Sequence, residues 1–400
     1  MNNSVDNAET KIKNSILRLE KWVEEHDYKG YEPFDGLSSY LRPLTFGNQL
    51  LERLLLQLVR QSPINLRPLL GVKTQESTKG RGYMAWGYIT MFRLTGDQQY
   101  KEKAVKCLDW LDRNKSPKYP NHSWGNHFDF SGRKIRLKKL EPIIVWTALI
   151  GQAYLDAYEA FGDSRYLDIA ISICDWILDL PKEKTNNGTC LSYITAQQVS
   201  IHNSNMLGAA MLARTFKITG KDKLLDVARK AMEYSCSRQL PDGAWYYGET
   251  DNCQWIDNFH TGYNLDSLKS YIEETGDRTF DENLRRGFTF YKDHFFEDSG
   301  TPKYYHNRVY PVDSQCASQA IETLANFSEY DESALPLSIK VANWTINNMQ
   351  DTEGYFYYRI LPYLRVKTPM LHWSQATMYR ALTNLFKNLL CFAKCHHMEE

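Results

Sequence analysis

The sequence predicts an all-α ring of six helical hairpins, with one helix of each hairpin inside and its partner outside. Two observations carry that expectation. A short turn recurs almost verbatim as Leu94-Thr-Gly-Asp97, Ala160-Phe-Gly-Asp163, Ile218-Thr-Gly-Lys221 and Glu274-Thr-Gly-Asp277, its glycines 66, 58 and 56 residues apart. A second set of glycines keeps step with the first. Gly188, Gly243, Gly300 and Gly354 lie 55, 57 and 54 residues apart, and each opens a segment rich in aromatic side chains. A period of this size means one supersecondary unit copied around an axis.

Taken in chain order, the elements follow from that register. Residues 1–25 carry a stripe of Ile12, Ile16, Leu17, Leu19 and Trp22, which predicts an amphipathic helix and supplies the sixth outer position. Residues 26–75 read as an irregular connection that contains the first cavity-side segment. The inner helices are expected near 80–94, 142–160, 202–218, 261–274, 313–327 and 372–388. Stretches such as Leu207-Gly-Ala-Ala-Met-Leu-Ala213 are small or apolar on more than one face, as in a helix buried on both sides. The outer helices near 98–114, 165–180, 222–238, 279–296 and 334–349 keep a charged face, as in Lys101-Glu-Lys-Ala-Val-Lys-Cys-Leu-Asp-Trp110. The sum is one domain over 1–400, an (α/α)6 toroid. Its aromatic loops, near 120–140, 185–200, 240–258, 300–312 and 352–370, must gather at one end, around the mouth of the central cavity.

Composition narrows the function classes. The 48 basic and 48 acidic residues cancel, which argues against nucleic acid as a partner and for weak attraction to membranes. No apolar run approaches the roughly 18 residues that a membrane span needs. The start, Met1-Asn-Asn-Ser-Val-Asp6, carries no signal-peptide pattern, and the eight cysteines form no CxxC pair. The expectation is a cytoplasmic protein with reduced thiols. The 10 Trp, 26 Tyr and 17 Phe are an excess, much of it placed in loops, where core packing does not call for it.

The motifs Trp124-Gly-Asn-His-Phe-Asp129, His202-Asn-Ser-Asn205, Asp242-Gly-Ala-Trp-Tyr-Tyr-Gly-Glu249, Ile256-Asp-Asn-Phe-His-Thr-Gly262, Lys303-Tyr-Tyr-His-Asn307 and Tyr355-Phe-Tyr-Tyr-Arg359 resemble those of the six-hairpin glycosidase superfamily. Within it, the chain is similar to proteins of polysaccharide-biosynthesis loci over about residues 75–388. The resemblance implies the toroid fold and a carbohydrate-active protein. Such rings host hydrolases, lyases and sugar epimerases, so the reaction stays open.

The first turns of the inner helices place His202, Asp257, His260, Asp313 and His372 at the cavity end. Desolvation there tunes titratable groups toward catalysis. Glycoside hydrolysis needs two carboxylates, and Asp257 with Asp313 is the expected acid/base pair, the three histidines positioning the sugar. Asp129 and Glu249 are the reserve carboxylates. An epimerase or lyase would instead use histidine or tyrosine to move a carbon-bound proton, with Arg neutralising a substrate carboxylate, and His202, His260, His372, Tyr263, Arg81 and Arg359 fit that alternative. Trp124, Trp245, Tyr247, Tyr305, Tyr358 and Trp373 are expected to stack on sugar faces. His127, Asp129, Asn203, Asn205, Glu249, Tyr263, His306, Arg359 and Gln375 are expected to bind substrate through their polar groups. The expected ligand is an oligosaccharide or polysaccharide, with no cofactor and no metal. A lanthionine-cyclase-like zinc site lacks its Cys–His pair at the mouth, and the DxDD or DDxxD cluster of a terpene-cyclase-like enzyme is missing from the sequence. A non-catalytic glycan-binding scaffold is the other alternative. Sequence leaves the oligomeric state open.

Overall fold

The computed structural model describes residues 2–132 and 135–397. Helix α1 (Asn2–Glu25) is followed by α2 (Gln49–Gln61) and then by five hairpins. These pair α3 (Thr78–Thr95) with α4 (Gln98–Arg113), α5 (Ile144–Phe161) with α6 (Ser164–Asp179), and α7 (His202–Thr219) with α8 (Asp222–Cys236). They continue with α9 (Asn258–Thr275) and α10 (Asp281–His294), then α11 (Ser314–Asn326) and α12 (Ala334–Met349). The last helix, α13 (Thr377–His397), packs against α1, so the two ends of the chain make the sixth pair. The inner ring is closed: α3, α5, α7, α9, α11 and α13 each touch the next, and α13 returns to α3. This is the expected (α/α)6 toroid. In α1, Ile12, Ile16, Leu19 and Trp22 of the predicted stripe are buried, whereas Leu17, beside them in the sequence, lies off the packed face and is exposed.

All the aromatic loops do stand at one end, and a repeated backbone bond holds them there. The first free N–H of an inner helix donates to a tyrosine carbonyl in the loop that leaves the same hairpin. Ile144 N donates to Tyr193 O (3.2 Å), His202 N to Tyr247 O (3.1 Å), Asn258 N to Tyr304 O (2.9 Å) and Ser314 N to Tyr358 O (3.1 Å). Leu371 N donates to Tyr31 O at 2.9 Å, which brings the connection into the same circle. At the sixth position the Thr78 hydroxyl donates to Gly125 O instead, at 2.9 Å. These bonds satisfy N–H groups that a helix cannot satisfy by itself. Small antiparallel pairs brace the loops: β1 (Lys29–Gly30) with β2 (Gln75–Glu76), β3 (Phe130–Ser131) with β4 (Arg136–Leu137), and β5 (Lys182–Thr185) with β6 (Gly188–Leu191). A three-stranded piece joins β7 (Val312–Asp313), β8 (Arg359–Leu361) and β9 (Leu364–Val366).

The connection over 26–75 departs from the expected irregular strand of chain. It contains α2, started by the Asn48 side chain accepting from Leu50 N and Leu51 N. The helix buries Leu55, Leu56 and Val59 beside Leu37 and lies across the loop end. Gln49 Nε2 donates to Gly132 O at 2.9 Å, and Arg359 Nη1 donates to Gln61 Oε1 at 3.3 Å. The mouth of the ring is therefore covered from β3 to β8.

The two glycine series do different work. Gly96 closes α3 at φ 70°, and a Cβ there would meet nothing within 4 Å. Gly354, at φ 107°, lies against the next outer helix, where a Cβ would come within 2.4 Å of Arg18 O. Gly96→Ala should therefore cost only the left-handed backbone term, about 1 kcal/mol. Gly354→Ala should cost roughly 3 kcal/mol or more, because the α1 backbone must move as well. Urea unfolding of the two variants checks the ranking.

Candidate active site

At the loop end the expected carboxylates are all engaged. Asp257 caps α9 through His260 N (3.0 Å), and it also accepts from Trp255 Nε1 (2.8 Å) and from the His260 ring at Nδ1 (2.7 Å). Asp313 caps α11 through Gln315 N (2.9 Å) and accepts from Arg359 Nε and Trp373 Nε1, both at 2.7 Å. Both are almost wholly buried. The expected acid/base pair is thus two helix caps, each accepting three hydrogen bonds. Asp129 is tied to Arg42 at 2.6 Å, and Glu249 to His202 at 2.6 Å.

The three histidines separate into two kinds. His202 uses both ring nitrogens, Nδ1 toward Ser235 Oγ (3.2 Å) and Nε2 toward Glu249 (2.6 Å). Ser235 belongs to outer helix α8, so His202 is a strut between the two rings and not the cavity residue expected from sequence. Its hydrogen bond holds the Glu249 carboxyl below its ordinary range. His260 and His372 are bonded on one side only. His372 turns Nδ1 to Glu32 at 2.6 Å and keeps a buried, unpartnered Nε2. His260 turns Nδ1 to Asp257 at 2.7 Å. Each is a histidine oriented by a carboxylate. This arrangement fixes the tautomer and leaves the far nitrogen for chemistry.

Glu32, missed by the sequence reading, comes from the connection, 340 residues from its partner. It has no exposed surface and sits 3.7 Å from Lys79 Nζ. Burial opposes its charge, but the His372 and Lys79 charges outweigh that cost and hold it strongly acidic. Burial pushes His372 down to about 4, so the neutral base is its resting form near neutral pH. Lys79 Nζ lies 4.4 Å from the Trp146 ring and 5.8 Å from Phe128. Trp146 stands edge-on to His372 at 5.1 Å, and Lys79, Tyr83 and Trp146 line a narrow cavity there. His127 belongs to the same cluster, pushed down to about 4 by burial, with Nδ1 unpartnered. Before α13 the chain makes a π turn, Leu371–Ala376, whose widened spacing sets His372 on Glu32 and Trp373 on Asp313. Around His260 stand Phe259 at 3.9 Å and Tyr247 at 4.4 Å, and Phe259 meets Trp373 at 5.5 Å.

Several expected sugar contacts are structural instead. Trp124 and Trp245 are buried, and their indole N–H groups donate to Leu111 O and Ser235 O, each at 2.9 Å. Asn205 accepts from Leu191 N and donates to Ala231 O, and Gln375 bonds both backbone groups of Phe356. All four brace loops, because a buried polar group must find a partner and the loop backbone is nearest. His306 turns toward Ile256 O, and Tyr305 is covered by Arg308 at 4.3 Å. Asn203 is buried with Oδ1 unpartnered. The Tyr358 hydroxyl accepts from Arg60 at 3.4 Å. Tyr263 bonds Tyr83 at 2.9 Å, from α9 to α3 on opposite sides of the ring. That crossbar divides the axis in two.

Beyond it lies a cavity of about 380 Å³ at the turn end, lined by Asp266, Glu322, Arg214 and Arg380 among others. Its two arginines are paired, Arg214 with Asp156 at 2.5 Å and Arg380 with Glu322 at 3.0 Å.

No protein-family model matches the sequence, and no curated protein matches it. Solved structures do. The cellobiose 2-epimerase of Bacillus thermoamylovorans B4167 superposes with a TM-score of 0.66 at 12% identity, over 96% of this chain and 99% of that one. A D-mannose isomerase gives 0.59 at 16% identity, over 79% of this chain and 87% of that one. An α-mannanase of Bacteroides thetaiotaomicron gives 0.61 at 13% identity, over 80% and 88%. The chain shares the (α/α)6 toroid fold of these proteins. At these identities the likeness is one of architecture.

The turn-end cavity yields a pH test. Burial raises the Asp266 carboxyl to about 7, despite donors from Gln319, Thr323 and Asn326. The folded state therefore binds a proton that the unfolded state has lost, and stability falls as pH climbs from about 4 to about 7. The melting temperature of Asp266→Asn relative to the native chain should rise over that interval and level off above it.

Proposed function

We propose that this protein is a carbohydrate-active enzyme that moves a carbon-bound proton at the reducing end of a sugar, as an epimerase or isomerase does. The observation that carries the reading is the pair of carboxylate-oriented histidines, Glu32–His372 and Asp257–His260, whereas the expected acid/base pair, Asp257 and Asp313, serves as helix caps that each accept three hydrogen bonds. In an open-chain aldose the hydrogen on the carbon next to the carbonyl is acidic enough for a neutral imidazole. One Nε2 takes that proton, the C–H bond breaks, and its electron pair moves onto the carbonyl oxygen as an enediolate. The second histidine, entering the cycle as the imidazolium with its Nε2 protonated, gives that proton to carbon from the other face as the electron pair returns from oxygen; this yields the epimer and leaves the two rings with exchanged protonation states. Protonation at the neighbouring carbon gives the ketose.

Phe259, Tyr247 and Trp373 supply apolar faces near His260 for a pyranose ring. The solved structures with this fold include a cellobiose 2-epimerase and a D-mannose isomerase as well as an α-mannanase. The fold therefore accommodates either chemistry, and the side chains favour proton transfer. The substrate class is an oligosaccharide or monosaccharide with a free reducing end.

Incubation with reducing sugars in D2O, read by proton NMR, tests this. Deuterium should enter at the carbon next to the carbonyl. His372→Ala and His260→Ala should each lower the rate by roughly a hundredfold to ten-thousandfold with the helical circular dichroism unchanged. Glu32→Gln should lower kcat more than it raises KM, because it alters the orientation and basicity of His372. New reducing ends released without deuterium incorporation would identify hydrolysis instead.

A further inference from the structure

The helix that covers the mouth carries an apolar arc wider than the face it buries. Leu55, Leu56 and Val59 are buried, while Leu50, Leu54 and Leu58, one turn apart along the other edge of that arc, stand exposed. Nine of the fifteen large apolar side chains that stand exposed among the described residues fall between Tyr40 and Leu69, Phe46 among them at 87%. The tip of the β8–β9 hairpin adds Tyr363, 98% exposed, and Leu364. That hairpin abuts the end of α2 through Arg359 and Gln61. One end of the ring thus holds most of the exposed apolar surface of the molecule. Concentrated patches of this kind mark surfaces that meet something.

The rim of the patch is cationic. The β3–β4 hairpin is joined to α2 by Gln49 and by the Glu52–Arg136 pair at 2.6 Å. Lys138 and Lys139 are exposed just beyond it. On the other flank Arg365 is exposed, beside Lys367, which pairs with Asp351 at 3.7 Å. The chain as a whole is neutral, so this is a local excess that composition hides.

We infer that this face docks on an anionic lipid bilayer, with α2 lying in the interface plane and the two hairpins on the headgroups. An exposed leucine face flanked by aromatic and cationic residues is the pattern of a helix that lies on a membrane without spanning it. Charge decides against a second copy of the chain. A two-fold contact through α2 would set basic rim against basic rim, whereas phosphatidylserine complements it. None of the helices is long and apolar enough to cross a membrane among the described residues, and docking needs no such helix. The inference stands independently of the reaction assigned to the site.

Flotation of the full chain with phosphatidylcholine vesicles, with and without phosphatidylserine, tests it. The native chain should float with the anionic vesicles and be released as salt rises. The double variant Leu54→Ser, Leu58→Ser should bind at least ~10-fold more weakly, since each removes a leucine side chain from the interface. Lys138→Glu with Lys139→Glu should reduce the preference for phosphatidylserine. All of these positions are exposed, so thermal melting should stay close to native. A native chain that floats with neither vesicle overturns the inference. So does a dimer in light scattering that the leucine variant converts to monomer, which would assign the face to a second copy.

Discussion

The bond from an inner helix N–H to a tyrosine carbonyl is the joint on which this molecule turns. A helix leaves its first N–H groups unpaired, and burying one without a partner costs about 1–3 kcal/mol. In this ring the ends are buried by necessity, because the loops close over them. The tyrosine carbonyls at residues 31, 193, 247, 304 and 358 meet that need and bring an aromatic side chain to the mouth with each bond. The same loops then run beneath the next outer helix, where Gly188, Gly243, Gly300 and Gly354 let backbone touch backbone. Each loop therefore ties its own hairpin to the following one, and the ring closes through local rules repeated.

The polar chemistry follows from how little water this geometry leaves. Once the loops cover the helix ends, a carboxylate there must be bonded to remain charged. Asp257 and Asp313 find their partners in caps, indoles and Arg359. Glu32 finds its own in Lys79 and His372. The histidines that these carboxylates orient, His260 and His372, keep a far nitrogen without a side-chain partner. His202 has no such freedom, because Ser235 and Glu249 take both sides of its ring.

The connection between the N-terminal helix and the ring has a double character. Inward it supplies Glu32 to His372, Tyr31 to Leu371 and Phe34 to Trp373. Outward it presents leucines to solvent. The leucine spacing of α2 was legible in the sequence as a helical arc that the expected irregular connection passed over, and only the structure shows that one edge of that arc is buried and the other faces solvent.

The architecture was legible because it is periodic. Turn glycines report a left-handed backbone and loop glycines report a close approach, and both are local demands on a residue type. Helix ends, the ring and the gathering of the loops at one end all follow from their spacing. The division of labour at the mouth was legible only as a list of polar and aromatic residues. Asp257, Asp313, His202, His260 and His372 occupy similar sequence positions, yet two are caps, one is a strut and two keep a free nitrogen. Trp124 and Trp245 look like sugar platforms, yet their N–H groups are spent on Leu111 and Ser235 carbonyls. Which atom faces which partner depends on pairs hundreds of residues apart, Glu32 with His372 above all. The sequence by itself determined the repeating frame, through backbone conformations that only glycine adopts cheaply. Tertiary structure alone decided which side chains were left unbonded, because hydrogen-bond partners across a ring are set by distance in space and leave no period in the chain.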